Sequence, residues 1–313
     1  MEEKSVTRAR KWLAALAMSL TLQAPAIASG SDEVQFEITD TGHLVVTVHV
    51  NDRTSLAILD TAATFPILDR ETANAAAIYL PEVPELIDIV GLGEVRTFPL
   101  VQIGQLALGT FELEELRAAY NSKVRFPSTG NVFPASALPY RTLDFDFERH
   151  RLLMYDRAPA SIRGAHVERL PIERHGGLPF VKVRVNGVEG LALVDTGASL
   201  SYVNSAFAQG AARSSDAIRS IELIGATGNA TSITVLHSRR FELGSVKLDR
   251  FDVVVSNPEF LEMLGLENVP VMVLGIDILK AFRLQIDREK EELRLVLPGR
   301  GPLAQAGISF RAR

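Results

Sequence analysis

Two aspartates stand out for what surrounds them. Asp60 follows Leu56-Ala57-Ile58-Leu59 and precedes Thr61-Ala62-Ala63, while Asp195 follows Leu191-Ala192-Leu193-Val194 and precedes Thr196-Gly197-Ala198-Ser199. A carboxylate at the end of four apolar residues is costly to bury unless something stabilises it. Small residues just beyond it allow a tight loop whose backbone N–H groups can point back at the carboxylate. Two such carboxylates brought together cannot both ionise cheaply, so one keeps its proton while the other is charged. That places an acid beside a base, which can activate water with no metal, no cofactor and no covalent intermediate. For either aspartate alone, the plainer alternative is a residue that ends a strand and caps a turn. The same arrangement in two places argues against it.

The elements that must position these residues are written twice. His43-Leu44-Val45-Val46-Thr47-Val48-His49-Val50-Asn51 leads into the first aspartate, and Leu178-Pro179-Phe180-Val181-Lys182-Val183-Arg184-Val185-Asn186 leads into the second. The offset is constant, 195 − 60 = 135 for the aspartates and 186 − 51 = 135 for the asparagines. In both copies valines alternate with polar residues, the signature of a half-buried strand, and a short polar turn returns into the apolar strand that ends at Asp-Thr. Each half continues with a glycine-bearing segment, Gly91 and Gly93 in the first and Gly225 and Gly228 in the second. Each closes with a strand pair, residues 143–146 into 152–155 and 284–287 into 293–296. Short helical patterns fall near 70–77, 205–212 and 278–281. Asp144 and Asp146 alternate on one strand and read as an exposed face rather than as metal ligands. Asp277 reads as a helix-starting cap.

The run Leu193-Val194-Asp195-Thr196-Gly197-Ala198-Ser199 resembles the catalytic loop of aspartic proteases, in particular the retropepsin-like, bacterial branch. Val273-Leu274-Gly275-Ile276-Asp277-Ile278-Leu279, with 275 − 195 = 80, resembles the family's second signature, an apolar strand and glycine passing beside that loop. The resemblance covers roughly residues 42–155 and 177–297. It implies an all-β fold with a few short helices, built as two pseudo-symmetric aspartic protease-like lobes in one chain. It implies catalytic Asp60 and Asp195, and Thr61 and Thr196 bracing the two loops through their hydroxyls. Ala62, Gly197, Ala198 and Gly275 would form the tight loop backbone, and Ser199 would orient Asp195, with Thr64 at the matching first-half position. Gly91, Gly93, Gly225 and Gly228 would belong to flap hairpins. The activity implied is peptide-bond hydrolysis on a peptide or protein substrate by a monomer. The first half departs from the pattern: Ala62 stands where the family has glycine, and Pro134 falls opposite Gly275. These departures motivate an alternative, a protease-like peptide-binding protein with weak or no catalysis.

Composition narrows the field. The 313 residues carry a net charge of −5 with no basic stripe, which argues against a nucleic-acid partner. Cysteine is absent, which excludes disulfides, thiolate metal sites and a cysteine nucleophile. The histidines lack metal-ligand spacing, Gly91-Leu92-Gly93 lacks the third glycine of a nucleotide loop, and no Gly-x-Ser-x-Gly elbow occurs. The N-terminus places basic Lys4, Arg8, Arg10 and Lys11 before the apolar run Trp12–Leu22 and then Ala26-Ile27-Ala28. That order is the signature of a cleavable signal peptide and predicts a periplasmic or secreted protein with no membrane span after cleavage. The expected organisation is a signal peptide over 1–28, a first lobe over 29–157, a linker over 158–167 and a second lobe over 168–313.

Overall fold

A computed structural model describes residues 30–91, 95–124, 128–212, 218–224, 230–297 and 308–310. The segment expected to be a signal peptide, Gly93, Gly225 and Gly228 lie outside them. The chain is mostly strand with a few short helices, arranged as two lobes of matching plan.

In each lobe an alternating strand, Leu44–Val50 or Leu178–Val185, buries its valines and exposes the polar residues between them. It turns at Asn51-Asp52 or Asn186-Gly187, where both central residues of each turn have positive φ, as a two-residue hairpin with right-handed twist requires. The returning strands Arg53–Asp60 and Val188–Val194 are buried in their last three apolar residues. Each pairs in parallel with a later strand. Asp60 lies opposite Pro134, and Val194 lies opposite Leu274, one residue short of Asp195 and Gly275.

The repeated asparagines are structural staples. Asn51 Oδ1 accepts from Gln105 N at 2.9 Å, and its Nδ2 donates to Ala76 O at the end of the helix Arg70–Ala75. Asn186 does the same with Arg239 N and with Ala211 O of the helix Ser205–Ala211. Those helices are capped at matching positions, by Asp69 and Asn204, whose side chains accept from Thr72 N and Phe207 N. Asp277 is not such a cap. The helix Ile276–Leu279 starts at Gly275, and Asp277 instead accepts from Ser201 Oγ at 2.6 Å. A helix over Glu259–Met263 has no counterpart among the described residues of the first lobe.

The lobes are joined by the six strands at one end of a thirteen-stranded sheet. Their order is His166–Pro171, Glu292–Leu297, Arg283–Asp287, Thr142–Asp146, Arg151–Tyr155 and Ser31–Ile38. The junction is the antiparallel pair of Thr142–Asp146 with Arg283–Asp287. The linker is irregular to Ala165, and His166 and Val167 already pair with the strand Glu292–Leu297. The exposed face expected for Asp144 and Asp146 is wrong. Asp144 is fully buried, and its carboxylate takes Arg283 Nε at 2.7 Å and Nη2 at 2.8 Å, Tyr155 Oη at 3.0 Å and Gln285 Nε2 at 2.9 Å. Asp146 is held by Arg149, Arg151 and Arg283. Arg283, the cation shared by both carboxylates, comes from the opposite lobe, so a pattern read along one strand could not show it.

Candidate active site

Both aspartates end a buried strand and enter a loop that folds back onto them. Asp60 Oδ1 accepts from Ala62 N at 2.7 Å and Ala63 N at 3.0 Å. Asp195 Oδ1 accepts from Gly197 N at 2.8 Å and Ala198 N at 3.0 Å. Two N–H groups per carboxylate stabilise the charged form and fix its rotamer. The alanine at position 62 therefore makes the same bond as its glycine counterpart. Neither residue has positive φ, so the methyl costs no backbone strain.

The loops are locked to each other by a reciprocal set of four bonds. Thr61 Oγ1 donates to Val194 O at 2.7 Å and accepts from Thr196 N at 3.0 Å. Thr196 Oγ1 donates to Leu59 O at 2.7 Å and accepts from Thr61 N at 3.1 Å. Each hydroxyl uses its one proton and accepts a backbone N–H, and both threonines are buried. The lock brings the carboxylates of Asp60 and Asp195 within hydrogen-bond reach of each other. An added methyl on Gly197 would lie 2.4 Å from Asp60 Cγ and Oδ2, so the second loop touches the first carboxylate.

Burial raises the pKa of both groups. The two loop N–H bonds hold Asp60 down in part. Asp195 is pushed well above the ordinary carboxylate range, first by burial and then by the Asp60 charge. Asp195 is buried, whereas Asp60 keeps an exposed edge. The pair thus favours a state with one shared proton, and its two titrations belong to the pair rather than to either residue.

Around the loops the lobes diverge. At Gly275 a Cβ would lie 2.7–2.9 Å from the backbone of Ala198 and Leu200, so glycine lets this strand pass the second loop. Gly275 N donates to Ser201 Oγ at 2.9 Å, and Ser201 passes the chain on to Asp277. In the first lobe Pro66 stands for Ser201 (201 − 135 = 66) and Pro134 for Gly275, so both the donor and its acceptor are missing together. Ser136 stands for Asp277 (277 − 141 = 136) and binds the loop directly, to Ala63 O at 3.2 Å. Thr64, Pro66, Pro134 and Ser136 line a cavity of about 100 Å³ there.

Ser199 does not orient Asp195. The loop N–H groups occupy Asp195 Oδ1, and Ser199 packs beside the first lobe's Gly42. Ser201, two residues on, is the hydroxyl that ties the loop to its signature strand; the sequence signal was its loss together with the facing glycine in the first half. Gly91 begins the turn between the strands Leu86–Val90 and Val95–Leu108, an antiparallel hairpin. This hairpin reaches the other lobe, where Val95 N donates to Glu259 Oε2 at 3.0 Å. In the second lobe Ile218–Ile224 and Ala230–Leu243 form the corresponding hairpin.

Two family models match the chain. A gag-polyprotein aspartyl protease model covers residues 181–281, and an aspartyl protease model covers residues 46–132. No curated protein matches it. Each model falls on one copy of the repeat and includes one of the two Asp-Thr loops. These two matches, one on each half of the chain, support an aspartic protease family of the retropepsin-like kind.

Proposed function

We propose that this chain is an exported endopeptidase that hydrolyses peptide bonds with a water activated between Asp60 and Asp195. The observation that carries the reading is the pair of carboxylates brought together by the threonine lock, both raised in pKa by burial and each held by two loop N–H groups. In the state with one proton, the ionised carboxylate takes a proton from the water as its oxygen attacks the scissile carbonyl carbon. The protonated carboxyl gives its proton to the carbonyl oxygen, yielding a neutral tetrahedral diol. The protonated carboxyl then gives its proton to the amide nitrogen as the C–N bond breaks, and the ionised carboxylate takes a proton from a diol hydroxyl, leaving a carboxylic acid, an amine and the single proton on the pair. The departure at Ala62 keeps its N–H bond to Asp60, which favours hydrolysis over peptide binding alone. Export rests on the order of basic, apolar and small residues at the N-terminus.

The test is Asp195→Asn beside the wild type in a peptide-library digest across pH. Cleavage should fall by about 10²–10⁴-fold or more, and full activity in the variant would refute the mechanism. A stability series on the same proteins carries a sign. A carboxyl whose folded pKa is raised stabilises the fold below its unfolded pKa and loses that contribution as pH rises toward the folded pKa. In that window wild-type stability should fall by up to about 1.4 kcal/mol per pH unit. Asp195→Asn should reduce this slope, with urea midpoints at each pH as the measurement.

A further inference from the structure

The loop of Asp60 has less behind it than the loop of Asp195. Ala198 O accepts from Ile276 N at 2.8 Å, and Ser199 O accepts from Asp277 N at 3.3 Å, so two backbone bonds tie the second loop to the helix Ile276–Leu279. Ala135 and Ser136 stand for Ile276 and Asp277, since 276 − 141 = 135. Among the described residues neither gives a backbone bond to Ala63 O or Thr64 O. The Ser136 hydroxyl, 3.2 Å from Ala63 O, takes their place. Ala63 is the residue whose N–H also holds Asp60 Oδ1, so the hydroxyl acts one residue away from the carboxylate's own bond. Ser136 is exposed and borders the cavity of about 100 Å³, which leaves it open space on one side.

Support for Ser136 comes from the other lobe. Arg288 opens the turn between the strands Arg283–Asp287 and Glu292–Leu297. Its Nη2 donates to Ser136 O at 3.3 Å, and its Nη1 donates to Leu138 O and, at 3.4 Å, to Tyr140 O. Its backbone N donates to Arg141 O at 2.9 Å, which seats the turn on residues 136–141. A planar fork of donors thus spans three carbonyls of one short segment, a geometry that the point charge of lysine does not match. The matching first-lobe residue is Phe147 (288 − 141 = 147), which packs with Phe36 and Phe145 inside its own lobe. The clamp therefore runs one way, toward the loop that lacks the two backbone bonds.

We propose that Arg288 is a positioning residue for the reaction: from the second lobe it holds the segment of Ser136, whose hydroxyl holds Ala63 and with it the loop of Asp60. The proposal rests on the peptide-hydrolase reading for its kinetic readout. It goes beyond that reading by making the geometry of one carboxylate depend on a side chain of the opposite lobe that touches neither carboxylate nor substrate.

The test compares the full chain with Arg288→Met, Ser136→Ala and the double variant. Hydrogen exchange at the Ala63 and Ala198 amides, followed by NMR, needs no turnover. Exchange at Ala63 should quicken by about 10-fold in each single variant, with Ala198 unchanged. On a peptide substrate kcat should fall by about 10-fold in each, with KM within about 2-fold. The double variant should fall no further than either, since both changes break one chain of contacts. Arg288→Lys, which keeps the charge without the fork, should recover part of the loss. Unchanged exchange at Ala63, an equal change at Ala198, kcat losses that multiply in the double variant, or full kcat in both single variants overturns the proposal. Any of these beside cleavage that depends on Asp195 leaves the hydrolase reading standing. Ala63 exchange that responds to both residues in a chain that cleaves nothing supports the clamp and refutes that reading. If Arg288→Met fails to fold, Arg288→Gln supplies the same comparison.

Discussion

At Gly197 one missing carbon sets the distance between the lobes' reactive groups. A methyl there would press on Asp60 Cγ and Oδ2 at 2.4 Å, and Asp60 cannot swing aside because Ala62 N and Ala63 N hold its Oδ1. Gly197→Ala should therefore part the carboxylates, lowering kcat/KM by about 10²-fold and stability by about 1–3 kcal/mol. Retained activity in a steady-state assay would contradict the contact. Ala62→Gly is the informative control. The alanine already makes the loop bond without strain, so its removal should leave turnover nearly unchanged. Asp195 stood out in the sequence because the residues around it could be read locally. The interaction of Ser201 with Gly275 and Asp277 could not, because it crosses 74 and 76 positions of chain.

The two signature strands pass their loops by different means. In the second lobe glycine gives close approach and its N–H finds Ser201. In the first lobe Pro134 has no N–H to satisfy, and Pro66 has no hydroxyl to receive one. The pair is consistent only as a pair. Pro134→Gly alone should expose a buried N–H with no acceptor and cost about 1–3 kcal/mol. Adding Pro66→Ser should recover part of that loss, and urea denaturation of the single and double variants measures the coupling. A double variant no more stable than Pro134→Gly would show that the two sites are independent. At this scale much of the fold was legible. Valine alternation gave the hairpins, and the constant offset gave the duplication, because period and repeat are written in adjacent residues. The helix Glu259–Met263 was not legible, since it is short and has no copy among the described residues of the first lobe to draw attention to it. Nor was the burial of Asp144, whose compensating Arg283 lies 139 residues away.

Across the whole molecule, Arg283 joins the halves. It reaches from the second lobe to Asp144 and Asp146 of the first, beside the backbone pairing of their strands. Arg283→Met should leave Asp144 buried without its cation and cost about 3–5 kcal/mol. Arg283→Met with Asp144→Leu should recover most of it, because an apolar pair of similar size can replace a buried ion pair. Equal urea midpoints for the two variants would argue that the charge pair is not what the single change disturbs. Arg141 with Asp287 is a second link of this kind, and it holds the Asp287 carboxyl below its ordinary range despite burial. Its contribution is complete above the unfolded pKa and fades as acid titrates the native carboxylate.

The covalent joining of the two copies has a consequence for direction. A cleft made by two identical chains is unchanged by a half-turn, so a peptide threaded one way meets the same surroundings as one threaded the other. Here every one-sided residue, Ala62 against Gly197 or Pro134 against Gly275, breaks that equivalence. For a peptide held between these lobes, the same sequence laid in reverse would be a different ligand, so the proposed hydrolase would tell one end of its substrate from the other.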